Sequence, residues 1–186
     1  MHKHRGELLI ISGPTAVGKG TVVREVLRLD PEIVLSVSAT TRSPRPGEID
    51  GVDYLFWSRD AFEAAIAEGQ MLEFAIVHGT NYYGTPRGPI EESLAAGKRI
   101  LLEIDIQGAR QVKQAMPEAK LVFIAPPDWE TLVARLKGRG TETAEEQERR
   151  LATARTELAA ASEFDVVLVN SIVAECAAEV VNLFQN

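Results

Sequence analysis

The chain has one cysteine, three histidines, 6% aromatic residues and no long apolar run, and each scarcity removes a class of protein. A single thiol, Cys176, closes no intrachain disulfide and builds no multi-cysteine zinc site, which excludes a secreted disulfide scaffold. No stretch approaches the ~20 apolar residues of a membrane span. The start, Met1-His2-Lys3-His4-Arg5, is basic, but the run behind it, Leu8 to Ile11, is too short for a signal-peptide core and breaks at Gly13-Pro14. A cytoplasmic protein is the expectation. Positive charge is also in short supply, with Lys+Arg 20 against Asp+Glu 27 for a formal net charge of -7. General nucleic-acid coats gain affinity by neutralising phosphates with Lys and Arg, so neither nucleic acid nor a membrane is an expected partner. A local anion site remains compatible with the balance.

What is present suits one globular domain: 186 residues, 45% hydrophobic, enough to bury a core without staples. Leu8-Leu9-Ile10-Ile11 predicts a buried parallel strand, followed from about Lys19 by a helix with Val22, Val23, Val26, Leu27 and Leu29 on one side and Asp30-Pro31 as its stop. Arg99 to Ile104, Leu121 to Ile124 and Val166 to Val169 are further strands, with a helix from Gln107 to Met116 and a C-terminal helix carrying Val173, Ala177, Val180, Val181 and Phe184. Alternation of strand and helix predicts an α/β fold, a parallel sheet covered on both faces.

Two segments interrupt that rhythm. Between Ser36 and Thr85 the chain turns polar, then gives strand-like pieces at Tyr54-Leu55-Phe56-Trp57 and Met71 to Val77 around a short helix ended by Gly69, which predicts a β-rich insert. Between Pro126 and Ser162 it is helical and charged. Asp128 is placed to cap a first helix ending near Gly138-Arg139-Gly140, and Thr143 with Glu146 forms a capping box for a second. The stripe Leu151, Ala154, Leu158, Ala161 is narrow, so this hairpin is expected to be weakly anchored and to move as a lid.

Gly13-Pro14-Thr15-Ala16-Val17-Gly18-Lys19 matches G-x-x-x-x-G-K between a predicted strand and a predicted helix. Glycines let successive N–H groups face one phosphate, the helix N-terminus adds its positive end, and Lys19 reaches the β and γ phosphates. After Lys19 stands Gly20, and the hydroxyl comes one residue later, at Thr21. A helix turns about 100° per residue, so Thr21 points away from the usual metal-ligand direction and any Mg²⁺ contact there is expected through water. Glu103 and Asp105 fall at the carboxyl end of a strand, where α/β sheets bind ligands. One role is to hold the hydration shell of Mg²⁺; the other is structural, since Asp105 is also placed to cap the following helix.

The run Ser36-Val37-Ser38-Ala39-Thr40-Thr41-Arg42-Ser43-Pro44-Arg45-Pro46-Gly47-Glu48, with Gly51 to Tyr54, Leu72-Glu73, Tyr82-Tyr83-Gly84, Glu103 to Gly108 and Gly138 to Thr141, resembles the guanylate kinase family. The resemblance extends from the first strand to Asn170. It implies a P-loop core at residues 1–35, 87–125 and 163–186, a GMP-binding part at 36–86 and a lid at 126–162. Arg42 and Arg45 match the pair that holds the GMP phosphate, with Tyr54 and Tyr83 donating phenolic hydrogen bonds. Glu73 matches the carboxylate that reads guanine, Ser38 and Thr85 the hydroxyls near its O6, and Asp105 an acid facing the base. Guanine offers N1–H and N2–H₂ side by side, which a carboxylate accepts in pairs, whereas adenine presents a lone pair at N1. Arg135, Arg139 and Arg150 match arginines that close over ATP, although Arg135 and Arg150 also read as surface ion pairs among the nearby glutamates. Asn170 matches a residue near the adenine. Tyr82 and Trp57 read as packing residues. The chain departs from the family pattern at Thr15-Ala16, where Ser-Gly is common, at Glu103, where Asp is usual, at Ser171, and in one extra residue around Gly79-Thr80-Asn81.

The implied activity is transfer of the γ-phosphoryl group of ATP to GMP, with Mg²⁺ accompanying ATP. Competing expectations are a kinase for another nucleoside monophosphate and a non-catalytic phosphopeptide-binding module, which usually lacks a working phosphate loop. Oligomeric state is left open. The cations Lys19, Arg42, Arg45, Arg135, Arg139 and Arg150 are expected to converge on one cleft while the acids of the 142–148 run face water.

Overall fold

A computed structural model describes residues 6–77, 79–137 and 143–184. The elements run β1 (Glu7–Ser12), α1 (Lys19–Leu29), β2 (Ile33–Leu35), β3 (Ala39–Thr40), β4 (Leu55–Phe56), α2 (Arg59–Ala67), β5 (Met71–Val77), β6 (Asn81–Pro86), α3 (Arg87–Ala95), β7 (Arg99–Glu103), α4 (Ile106–Ala115), β8 (Lys120–Ala125), α5 (Trp129–Lys137), α6 (Ala144–Ala159), a 3-10 turn (Ala160–Glu163), β9 (Val166–Val169) and α7 (Val173–Leu183). A parallel five-stranded sheet has the order β2-β7-β1-β8-β9, and a second sheet of four strands has the order β4-β3-β6-β5. Among the described residues no helix is long and apolar enough to cross a membrane.

Strand β1 is apolar at successive positions because both of its faces are covered. Side chains alternate across a strand. Leu9 and Ile11 pack with Val22, Val23 and Val26 of α1, Leu132 of α5 and Ala177 and Val180 of α7. Leu8 and Ile10 pack on the other side with Ile90 and Leu94 of α3 and Ala109 and Val112 of α4. The smaller sheet has its own core of Ala39, Phe62, Ala65 and Met71, closed by Trp57 and by Tyr82, whose ring stacks on Phe62 at 5.1 Å.

Several expectations need correction. Leu29 is 41% exposed, since it lies at the last turn of α1, beyond the sheet it was expected to cover. The helix over 106–115 begins one residue earlier than expected, with Asp105 as its N-cap and Met116 as its C-cap. Strand β2 and helix α3 carried little sequence signal. β2 has three residues, two of them 37% exposed on an edge, and α3 contains Gly88 and Pro89 with only Ile90 and Leu94 buried. Pro89 is tolerated because it sits in the first turn, where N–H groups have no intrahelical partner.

The helical hairpin is also better seated than its narrow stripe suggested. Leu132 and Leu136 of α5 and Ala154 of α6 are buried in the main core, with Leu151 and Leu158 packed against it. Asp128 accepts from Thr131 N at 2.6 Å, and Thr143 and Glu146 form the expected capping box.

One side chain joins the two sheets' neighbourhoods. Gln111 of α4 accepts from Phe74 N at 3.1 Å and donates to Phe74 O at 3.0 Å, clasping β5 by its backbone. Replacing Gln111→Ala removes both bonds, and the expected loss is about 1–2 kcal/mol at this half-buried site. Urea unfolding measures it; an unchanged midpoint would show that the clasp contributes nothing.

Candidate active site

The loop from Gly13 to Gly18 leaves the carboxyl end of the central strand β1 and enters α1. Its curvature rests on positive φ values: Gly13 at 151°, Ala16 at 66° and Gly18 at 95°. A Cβ at Gly13 would lie 2.4 Å from the Ile124 carbonyl, so only glycine fits. Ala16 is the one non-glycine residue at positive φ among the described residues. That conformation costs a side chain roughly 1–2 kcal/mol. Lys19 Nζ donates back to Gly13 O at 2.7 Å and Pro14 O at 3.3 Å.

Neighbouring elements hold the loop from the other side. Val17 O accepts from Arg135 Nη1 at 3.0 Å and from Asn170 Nδ2 at 2.9 Å. Asn170 is buried, with Oδ1 lacking a partner among the described residues. Arg135 is therefore tied to the loop, and its Nη2 also reaches Asn170 O at 3.4 Å.

Thr15, Ala16, Gly18, Lys19, Gly20, Thr21, Glu103 and Arg135 line a cleft of about 490 Å³, together with Arg24. Burial lowers the Lys19 pKa, against the opposing charges of Glu103, Glu157 and Asp105. Burial raises that of Glu103, against Lys19 and Arg24. Thr21 Oγ1 accepts from Arg24 Nη2 at 3.2 Å. A Cβ on Gly20 would meet Glu103 at 3.8 Å and Arg24 Nη1 at 4.0 Å, so the position opens between an acid and a base. Arg24 was missed from sequence, although its i,i+4 relation to Gly20 puts the two on one helix face.

A second cluster lies on the smaller sheet. Arg42 donates through Nη1 and Nη2 to Glu48, both at 2.9 Å, and through Nε to Tyr83 Oη at 3.2 Å. Glu48 also accepts from Arg45 N at 2.6 Å. The Arg42 guanidinium stands 5.5 Å from the centre of the Tyr54 ring, which meets Tyr83 edge-on. Its hydrogen bonds to Glu48 raise the Arg42 pKa and depress that of Glu48. The Arg45 side chain is exposed. Nothing in the spacing of the Pro-rich run identified Glu48 as the partner of Arg42.

The smaller sheet also carries a buried carboxylate. β5 and β6 pair Glu73 with Thr85, whose Oγ1 donates to Glu73 Oε1 at 2.7 Å. A Cβ at Gly108 would come within 2.9 Å of Glu73 Oε2 and 3.3 Å of Asp105 Oδ1, which shows how closely both acids approach the start of α4. Asp105 itself caps that helix through Gly108 N at 2.7 Å. Burial pushes the Glu73 carboxyl up to about 7, helped by the charge of Asp105 and opposed by the Thr85 hydrogen bond.

Lys19, Arg135, Glu103, Thr21 and Asn170 therefore meet at the phosphate loop, whereas Arg42, Arg45, Tyr54 and Tyr83 gather on the other sheet. Ser38 is half-buried beside β3, and its carbonyl accepts from Leu55 N at 2.9 Å. Arg150 lies half-buried on α6. Arg139 lies outside the described residues.

The family model for guanylate kinase matches residues 5–186. Guanylate kinase of Leifsonia xyli subsp. xyli is 59% identical over 181 residues, covering 97% of this chain and 71% of its own length. That of Nocardia farcinica is 56% identical over 184 residues, covering 98% and 95%. The crystal structure of guanylate kinase from Anaplasma phagocytophilum superposes with a TM-score of 0.76 at 34% identity, covering 100% of this chain and 87% of that one.

Glu73 gives the fold a pH dependence of known sign. Its carboxyl titrates near 7 in the fold and near 4.5 when unfolded, so the folded state holds the extra proton in between. Stability from this proton is full below about 4.5 and is lost as pH rises through about 7, by an amount on the order of 3 kcal/mol. Urea unfolding of the wild type and Glu73→Gln at pH 5 and pH 8 should show the glutamine variant gaining relative stability at the higher pH. A difference independent of pH would contradict the buried carboxyl.

Proposed function

The chain belongs to the guanylate kinase family, and from that premise we propose that it transfers the γ-phosphoryl group of ATP to GMP, giving ADP and GDP. The observation that carries the choice of acceptor is Glu73, a carboxylate 6% exposed with one oxygen held by Thr85. An ionised carboxylate accepts the paired N1–H and N2–H₂ donors of guanine and faces a lone pair on adenine. Ser38 and Thr85 then face the O6 side, with Asp105 beside the base.

We assign the GMP phosphate to Arg42, Arg45, Tyr54 and Tyr83. The planar guanidinium of Arg42 already meets the two oxygens of Glu48 as a fork, which is the geometry a phosphate offers. The ATP phosphates belong to the loop Gly13, Pro14, Thr15, Ala16, Val17, Gly18, Lys19, Gly20 and Thr21, with Asn170 near the adenine. Arg135, Arg139 and Arg150 act from the helical segment 126–162 as a lid, residues 36–86 take GMP, and the remaining segments form the core.

The nucleophile is an oxygen of the GMP phosphate, ionised at neutral pH, so no general base is required. What the chain must supply is alignment, positive charge and exclusion of water. Two phosphate charges about 4 Å apart repel by about 4 kcal/mol per charge pair at an effective dielectric of 20. Lys19 and Arg135 at the loop and Arg42 at the acceptor oppose that repulsion from two sides.

Among the described residues no group of three or more His, Cys, Asp or Glu forms a metal cage. An ion held between phosphates needs only one or two carboxylates and keeps several waters, and Glu103 beside the opening at Gly20 fits that need. Glu103, with Thr21 nearby, would hold Mg²⁺ through water, and the ion would add positive charge against the ATP phosphates.

A coupled ADP-release assay with ATP and each common monophosphate tests the reaction, and turnover with GMP alone is the expected outcome. Lys19→Ala should lower turnover by at least about 10²-fold while GMP binding largely survives; loss of both together would contradict the division between the two clusters. Glu73→Gln should reduce the preference for GMP over AMP in kcat/KM by about 10-fold or more, as expected when a paired hydrogen bond to a base is spoiled. An unchanged ratio would remove Glu73 from base recognition.

A further inference from the structure

The phosphate loop makes one contact that the phosphoryl transfer does not require. Thr15 N donates to Glu157 Oε2 at 2.9 Å, across 142 residues of sequence, and Glu157 lies on α6 of the helical hairpin. Thr15 lines the phosphate-loop cleft, whereas Glu157 lines a separate cavity of about 240 Å³ with Asp105, Gln107 and Thr156. The carboxylate therefore reaches the loop from the side of Asp105, and its charge acts on Lys19 as well.

Backbone N–H groups at a helix N-terminus attract anions. The loop ahead of α1 exposes amides of the same kind, and in this chain one of them, Thr15 N, already has an anion, supplied by α6. We infer that Glu157 is an internal competitor for the phosphate loop, which the polyphosphate of ATP must displace, so that ATP binding and release of α6 from the loop occur together. This rests on the loop being the ATP site. A carboxylate and a polyphosphate repel each other, and the same loop does not hold both at full strength. The carboxylate thus weakens binding of ATP to the resting enzyme and couples the nucleotide to the hairpin that carries Arg150.

The alternative is a neutral strut, in which Glu157 only accepts a hydrogen bond. Substitution separates the two. Glu157→Gln keeps a carbonyl acceptor of the same reach and removes the charge, and Glu157→Asp keeps the charge on a shorter arm. Equilibrium titration with ATP in the absence of GMP should give Glu157→Gln a Kd about 5- to 10-fold lower than the wild type, within the usual range of coupling between sites. GMP affinity should not move, and Glu157→Asp should show no such tightening. An ATP Kd for Glu157→Gln equal to or higher than the wild-type value, or equal tightening in Glu157→Asp, overturns the inference. Turnover of ATP and GMP by the wild type is measured alongside. If the wild type binds ATP and phosphorylates GMP but Glu157→Gln does not tighten, only the competitor role falls. If the wild type does not bind ATP, the loop assignment falls and this inference falls with it.

Discussion

The carbonyl of Val17 accepts from Arg135 at 3.0 Å and from Asn170 at 2.9 Å, and the shape of the phosphate loop depends on that arrangement. A tight loop must find partners for its buried carbonyls before its amides are of use to a ligand. Lys19 takes the carbonyls of Gly13 and Pro14, and the two side chains from α5 and the end of β9 take that of Val17. Positive φ values at Gly13, Ala16 and Gly18 make the curvature possible. The loop is thus fixed by residues far apart in the chain, and the same contacts tie α5 to the cleft the loop lines.

Electrostatic economy follows from this layout. A chain with net charge -7 gathers cations at two positions. Lys19, Arg24 and Arg135 line one cleft, and Arg42 stands in the other cluster, each with acids nearby. Glu48 holds the fork of Arg42 open, and Glu103 lies opposite Lys19 and Arg24. The carboxyl of Glu73 is kept out of water at the expense of stability above neutral pH.

The parts of the fold that were legible in sequence are those with strong local signals. β1 was visible because both faces are buried, and the capping box at Thr143 and Glu146 is a local pattern. β2 and α3 were not visible, since their few buried residues are matched by exposed ones and by Gly88 and Pro89. In the site, the glycine–lysine loop was legible as a motif, and the arginines were singled out by the family resemblance. Gln111 and Glu157 were not, because each acts on a partner brought near by folding, and Arg24 and Glu48, whose partners are near in sequence, carried no motif. The hairpin looked weakly anchored because its apolar stripe was counted along one helix, whereas Leu132, Leu136 and Ala154 meet the core together.

By itself the sequence determined the α/β alternation, the glycine-rich loop with its lysine and the types of side chain available near it, because periodicity, capping and glycine placement are local properties of the chain. Only the tertiary structure decided which partner each charge meets. Arg135 meets Val17, Arg42 pairs with Glu48, and Thr15 meets Glu157 across the molecule. The reason is physical: hydrogen bonds and ion pairs form between groups within about 3 Å, and the packing of helices on the sheet, not distance along the chain, sets which groups come that close.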